Sequence, residues 1–218
     1  QLKDLTNNEP IWNQRLSENS TYTLGQNNEL VLMQADGTIT FLDLMTGEQK
    51  FEFKGQPAEK IINLLVLRNS RQYLVFVSLP YVPGDRGDGN RNRVVYRSLS
   101  LTSYLFNGMV YSVDRQTGEL MWSLPLEAQG IDFSQFLDLP VITFGIRKIR
   151  GITTTDGTQV DLQVVDLRNG DVVLKETTTS NRLRIWVVPD IERNDILIEP
   201  FQIRLSFEEP PIAAKKPQ

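Results

Sequence analysis

The sequence predicts an all-β protein built from repeated units of four antiparallel strands. Three observations predict it: a turn motif that recurs four times, short alternating apolar segments on both sides of it, and no persuasive amphipathic helix in 218 residues. The motif is D-x-x-[TN]-[GN]-[ED] with a large apolar side chain three residues later. Its copies run from Asp4 to Trp12, Asp43 to Phe51, Asp114 to Trp122 and Asp166 to Leu174, and the four Asp residues stand 39, 71 and 52 residues apart.

Each of the last three copies sits between two strands. TITFLD, MVYSVD and LQVVD precede them, and QKFEF, LMWSL and VVLKE follow, so each copy is the turn of a hairpin. Asp43, Asp114 and Asp166 can accept hydrogen bonds from turn amides, and Gly47, Gly118 and Gly170 supply the positive φ that the turn demands. A second strand pair is expected upstream of each hairpin: Tyr22 to Leu24 with Glu29 to Gln34, Ile61 to Leu67 with Gln72 to Ser78, and a pair within about Phe136 to Ile149. Ala58 to Leu67 is the nearest approach to a helix, and its second half reads better as strand. After the last motif come three strands with no recognisable fourth, at Leu183 to Val188, Asp195 to Glu199 and Phe201 to Phe207.

Composition narrows the chemistry. The chain has no Cys and no His. Disulfides, thiolate metal sites, Cys nucleophiles, Ser-His-Asp triads and His-built zinc sites are therefore impossible within it. Net charge is -4 and the pI about 5.0, which argues against general nucleic-acid binding. No apolar run approaches the length of a membrane-spanning helix. Gln1 stands where an initiator Met or a leader would be, so the chain is expected to be a processed or excised piece. Residues 208–218, EEPPIAAKKPQ, read as a tail or linker after the repeats of 1–207.

Four-stranded units at a base period of about 40 residues mark propeller blades. The D-x-x-T-G-E turn followed by Trp, clearest in DRQTGELMW from Asp114 to Trp122, resembles the PQQ-like blade of the quinoprotein β-propeller family. The resemblance covers nearly all of 1–207. It implies a partial propeller of three full blades and a partial fourth, too few for the larger rings usual in the family. Two arrangements satisfy this: a segment of a larger propeller, which we favour, or a small ring closed by the strand after Asp4 joining the C-terminal unit.

The candidate functional residues lie in two insertions. The step of 71 places an excess between Pro80 and Asn107, expected to be a long loop leaving a blade. It carries Tyr81, Arg86, Asp88, Arg91, Arg93, Tyr96, Arg97 and Tyr104, a mixture suited to a partner surface; a tolerated insertion is the plainer reading. Arg86-Gly87-Asp88 matches an adhesion tripeptide, and Asp85, Asp88 and Asn90 could in principle hold calcium, although such clusters are usually turns. The second insertion carries Arg147-Lys148-Ile149-Arg150 and a Thr-rich run ending in Asp156-Gly157. If its strands alternate, its cations divide between two faces. The repeated Asp4, Asp43, Asp114 and Asp166 and the large residues Trp12, Phe51, Trp122 and Leu174 read as structural.

What the resemblance implies for function is a non-catalytic binding or scaffold module, contacting another protein or another domain of a longer chain through its loops. No cofactor, nucleic acid or membrane span is expected. The alternative is part of a PQQ- and calcium-dependent alcohol or sugar dehydrogenase, but the adjacent cysteine pair common in such alcohol dehydrogenases is missing. Such propellers are commonly exported, so the resemblance implies a periplasmic or extracellular location.

Overall fold

The computed structural model describes residues 2–3, 10–13, 16–25, 27–80, 94–97, 103–132, 135, 138–150, 159–179, 186–190, 193, 195–199 and 201–207. All regular structure among them is antiparallel β. There is no helix among the described residues, so none is long and apolar enough to cross a membrane. The chain divides into two compact units. One comprises Gln1–Tyr81 with Asn107–Glu127, the other Val82–Phe106 with Ala128–Gln218. The tail at 208–218 lies outside the described residues.

In the first unit β1 (Leu2–Lys3) and β2 (Pro10–Trp12) form a two-stranded sheet. A four-stranded blade follows, β3 (Thr21–Leu24), β4 (Glu29–Met33), β5 (Thr38–Asp43) and β6 (Gln49–Lys54), each strand paired with the next. These are the strands expected from the first repeat. The sequence of β4, ELVLM, carries no alternation because both of its faces are covered. Leu30 and Leu32 join Leu42, Leu44 and Trp12 on one face, and Val31 and Met33 join Ile39, Phe41 and Phe53 on the other. Outermost β6 buries only Phe53.

The second sheet of this unit is β7 (Asn63–Arg68), β8 (Gln72–Ser78), β10 (Ser103–Asp114) and the first part of β11 (Leu120–Asp132). Its core face presents Leu64, Val66, Tyr73, Val75, Val77, Met109, Tyr111 and Val113 to the first blade. Each such side chain removed from water contributes about 1.5–3 kcal/mol, so this sheet-on-sheet layer is the main stabilising element of the unit. Aromatic rings knit it: Phe41 stacks on Phe51 at 4.4 Å and meets Tyr73 at 4.8 Å, and Phe53 sets its ring against Tyr111 at 5.7 Å. The Tyr111 hydroxyl, taken out of water there, accepts a 2.8 Å bond from the Gln56 amide.

In the second unit β12 (Val141–Arg150), β13 (Gln159–Asp166) and β14 (Val172–Thr179) form a meander. It packs through Val141, Val160, Leu162 and Val164 on Ile196 and Ile198 of the sheet β15 (Trp186–Asp190), β16 (Asp195–Glu199) and β17 (Ile203–Ser206). These last three strands are the three expected after the final motif.

The third repeat departs from expectation. Among the described residues one strand, β12, stands where the sequence suggested a pair within about Phe136 to Ile149. The partners of β12 on this side are the far end of β11, whose Gly130 and Ile131 pair with Gly145 and Phe144, and β9 (Val94–Arg97), which pairs with the other end of β12. Beside the β11 pairing, toward the start of β12, the Gln135 side chain takes the place of a strand backbone. Its Oε1 accepts from Thr143 N at 2.8 Å and its Nε2 donates to Thr143 O at 3.1 Å. Pro140, which has no amide hydrogen to give, precedes β12 and marks where the strand cannot extend backward.

Candidate functional site

The recurring turn is built the same way three times. Asp43 Oδ1 accepts from the amides of Met45 and Thr46 at 2.9 and 3.1 Å, and Asp114 Oδ1 accepts from those of Gln116 and Thr117 at 2.8 Å each. Asp166 Oδ1 accepts from the Arg168 amide at 2.8 Å, and its carboxylate also receives the Arg168 guanidinium at 2.6 Å. Thr46, Thr117 and Asn169 then accept from the amides of Glu48, Glu119 and Asp171. The amides of Thr46 and Met45 hold the Asp43 carboxyl below its ordinary range, those of Thr117 and Gln116 do so for Asp114, and the Arg168 side chain does so for Asp166. These carboxylates are thus occupied in shaping turns. Asp4 lies outside the described residues.

Gly47 and Gly118 serve the turn and the packing together. Both have φ of +74°, and a Cβ would lie 2.7 Å from Trp12 Cγ at Gly47 and 2.5 Å from Phe51 Cβ at Gly118. The large residue of one repeat therefore rests on the glycine of the next. Trp12 adds a hydrogen bond from Nε1 to Leu44 O at 2.7 Å. A bulge that the sequence did not disclose aims these residues: Phe41 pairs with Phe51 and Leu42 with Gln49, leaving Lys50 unpaired, and Val173 is skipped likewise between Leu174 and Val172.

One buried polar cluster was not anticipated. Glu29, 4% exposed at the start of β4, accepts the Tyr73 hydroxyl at 2.6 Å on Oε1, with Lys50 Nζ 3.6 Å from the same oxygen and 3.6 Å from Asp43 Oδ2. Its Oε2 has no hydrogen-bond partner among the described residues. The register explains its position: Glu29 pairs with Asp43, as Gln72 pairs with Asp114 in the next repeat. No group of three or more acidic residues among the described ones could hold a metal ion.

Of the residues singled out as a partner-binding loop, Tyr81, Arg86, Asp88, Arg91 and Arg93 lie outside the described residues. The other three are on strands, not in a loop. Tyr104 is in β10, and Tyr96 and Arg97 are in β9, where they pair with Lys148 and Arg147 of β12. The two insertions, some fifty residues apart in sequence, thus form one antiparallel ladder from Arg97–Arg147 to Val94–Arg150. Sequence spacing alone carries no sign of this, because a pairing across so many residues leaves no local pattern.

No protein-family profile matches the chain. No curated protein matches it in sequence. Among solved structures it is similar to the computationally designed Ika4 protein, at a TM-score of 0.40 and 16% identity over 89% of this chain and 97% of that one. It is also similar to a europium-containing methanol dehydrogenase, at 0.38 and 10% identity over 71% of this chain, and to the C-terminal WD40 domain of Sif2, at 0.34 and 12% identity over 82%. The chain spans 24% of the dehydrogenase and 42% of the Sif2 structure.

Proposed function

We propose that this chain is a PQQ-like propeller segment acting as a non-catalytic binding or scaffold module, exported to the periplasm or cell surface, that engages another protein or another domain of a longer chain. The observation that carries the reading is the β9–β12 ladder. It ties the insertion after Pro80 into a sheet whose far end is packed, and a partner surface gains from being held on a rigid scaffold. The interlocked repeats supply that rigidity, and their carboxylates are committed to turns.

Two experiments test this. Deleting Pro83 to Arg93 abolishes partner crosslinking in the source cells' envelope fraction and leaves the melting transition in place; unchanged crosslinking rules the segment out as the contact. Titration with PQQ and calcium, followed by the fluorescence of Trp12, Trp122 and Trp186, gives no saturable quenching. Saturable one-to-one quenching accompanied by alcohol or sugar oxidation would replace the scaffold reading with that of a dehydrogenase.

A further inference from the structure

The sheet β15–β16–β17 stops one strand short of the first blade. After the third strand of that blade, β5, the motif turn leads to a fourth, β6, and after β13 the same turn leads to β14. No copy of the motif follows β17 in the sequence. Among the described residues β17 pairs with β16 alone, so its second edge of backbone donors and acceptors is unpaired there. Register gives each position its counterpart. Asp195 opens β16 and pairs with Ser206 at the end of β17, as Glu29 opens β4 and pairs with Asp43 at the end of β5. Leu205 and Ile203 then correspond to Leu42 and Thr40, and Arg204 to Phe41. Leu42 and Thr40, with β6 beside them, are buried, whereas Leu205 and Ile203 are half-buried. The acids differ in the same sense. Glu29 receives Lys50 from β6 at 3.6 Å on Oε1. Asp195, 6% exposed, receives Arg204 at 2.7 Å on Oδ2, and its buried Oδ1 has no hydrogen-bond partner among the described residues.

We propose that the open edge of β17 takes an extended strand of a partner protein, which brings a cationic residue to Asp195 and a large apolar one opposite Arg204. The proposal rests on the binding-module reading and names its surface and partner chemistry. The template is β6, where Lys50 stands at the bulge and Phe51 pairs with Phe41, the counterpart of Arg204. Main-chain hydrogen bonds give an added strand its affinity, and its alternate side chains give selectivity. A donor for the orphaned oxygen of Asp195 removes the cost of burying it unpaired, and an aromatic ring opposite Arg204 attracts the guanidinium. The chain's own β2 does not answer this description. It is paired with β1 and carries Ile11 where β6 has Lys50.

The test uses the whole chain and a fluorescein-labelled peptide with the sequence of residues 47–55, GEQKFEFKG, followed by anisotropy. Wild-type protein binds it saturably, and hydrogen exchange slows at the β17 amides. The same peptide with Lys50→Gln binds at least about tenfold more weakly. On Asp195→Asn protein the two peptides differ by less than about twofold, because the carboxylate that tells them apart is gone. The two peptides on wild type, with the exchange map, decide the matter even where Asp195→Asn does not fold. Absence of binding, equal binding of both peptides by wild type, or slowed exchange at β6 or β14 in place of β17 overturns the proposal and leaves the scaffold reading in place. Self-association of the chain that the peptide reverses overturns it in favour of a second copy at this edge. PQQ-dependent turnover would instead overturn the scaffold reading, whatever the peptide titration gives.

Discussion

The Tyr73 hydroxyl of β8 donates a 2.6 Å hydrogen bond to the buried Glu29 carboxylate of β4, joining two sheets of the first unit at the start of both strands. A buried carboxylate that loses its donor bears the desolvation cost alone, here with Lys50 Nζ at 3.6 Å as the remaining partner. Tyr73→Phe therefore lowers unfolding free energy by about 2 kcal/mol, read from the urea midpoint. Glu29→Gln keeps an acceptor and removes the buried charge, so the double variant costs less than the two single changes added together.

The same pair sets an alkaline limit. Burial first, and the Glu29 carboxylate after it, push the Tyr73 hydroxyl from its ordinary 10.0 up to about 12. Because the folded value is the higher one, the stabilisation is complete below the unfolded value and is lost as pH rises through the folded one. The loss between them amounts to roughly 2–3 kcal/mol. Wild type minus Tyr73→Phe, compared in urea melts below and above this window, isolates it; an identical alkaline slope in both proteins would exclude Tyr73 as the source.

Gly118 and Phe51 make a second coupled pair. Gly118→Ala meets both a left-handed backbone, about 1–2 kcal/mol for a side chain there, and a Cβ that would lie 2.5 Å from Phe51 Cβ. The expected cost is about 3 kcal/mol. Phe51→Ala removes the ring but keeps the Cβ, so the double variant recovers only the part that the ring contributes. A double-mutant cycle on thermal melts measures that coupling, and strict additivity would mean the two residues do not meet.

Much of this was legible in the sequence for a physical reason. Turn chemistry is local, so Asp43, Thr46 and Gly47 announced their hairpin within a few residues, and the alternation of TITFLD placed its strand. What stayed hidden was set by distant pairing. Gln135 substituting for a strand, β11 serving two repeats, the bulge at Lys50 and the union of Arg97 with Arg147 all depend on residues that meet only after folding. Glu29 was hidden for a related reason: an acid at a strand start reads as solvated until Tyr73, 44 residues away, is placed beside it.

The turn aspartates predict an acid limit. Their folded carboxyls lie below the ordinary value of 3.8, so the stability they confer is present above that value and is lost as pH falls through the folded ones. The same holds for Asp36, which Lys54 and then the Thr38 amide and hydroxyl lower to about 2. Replacing Asp43, Asp114 and Asp166 together by Asn keeps an acceptor oxygen at each turn and removes the titration. The melting temperature of that variant falls less steeply below about pH 4 than that of wild type; parallel curves would place the acid sensitivity elsewhere.

Gln135 offers the sharpest test of the irregular third repeat. Its amide both accepts from and donates to the backbone of Thr143, and its Oε1 also takes the Thr143 hydroxyl at 3.0 Å. Gln135→Ala strips all three bonds at a buried site and should cost about 2–4 kcal/mol, with amide exchange at Thr143 accelerating before that of the β13 side of the sheet. Gln135→Glu can still accept from the amide and hydroxyl but loses its donor to Thr143 O while ionised. Protonation restores that donor, so this variant regains stability as pH falls through the carboxyl's titration, where Gln135→Ala does not. Equal pH profiles for the two would show that the side chain fills space there and does not stand in for a strand.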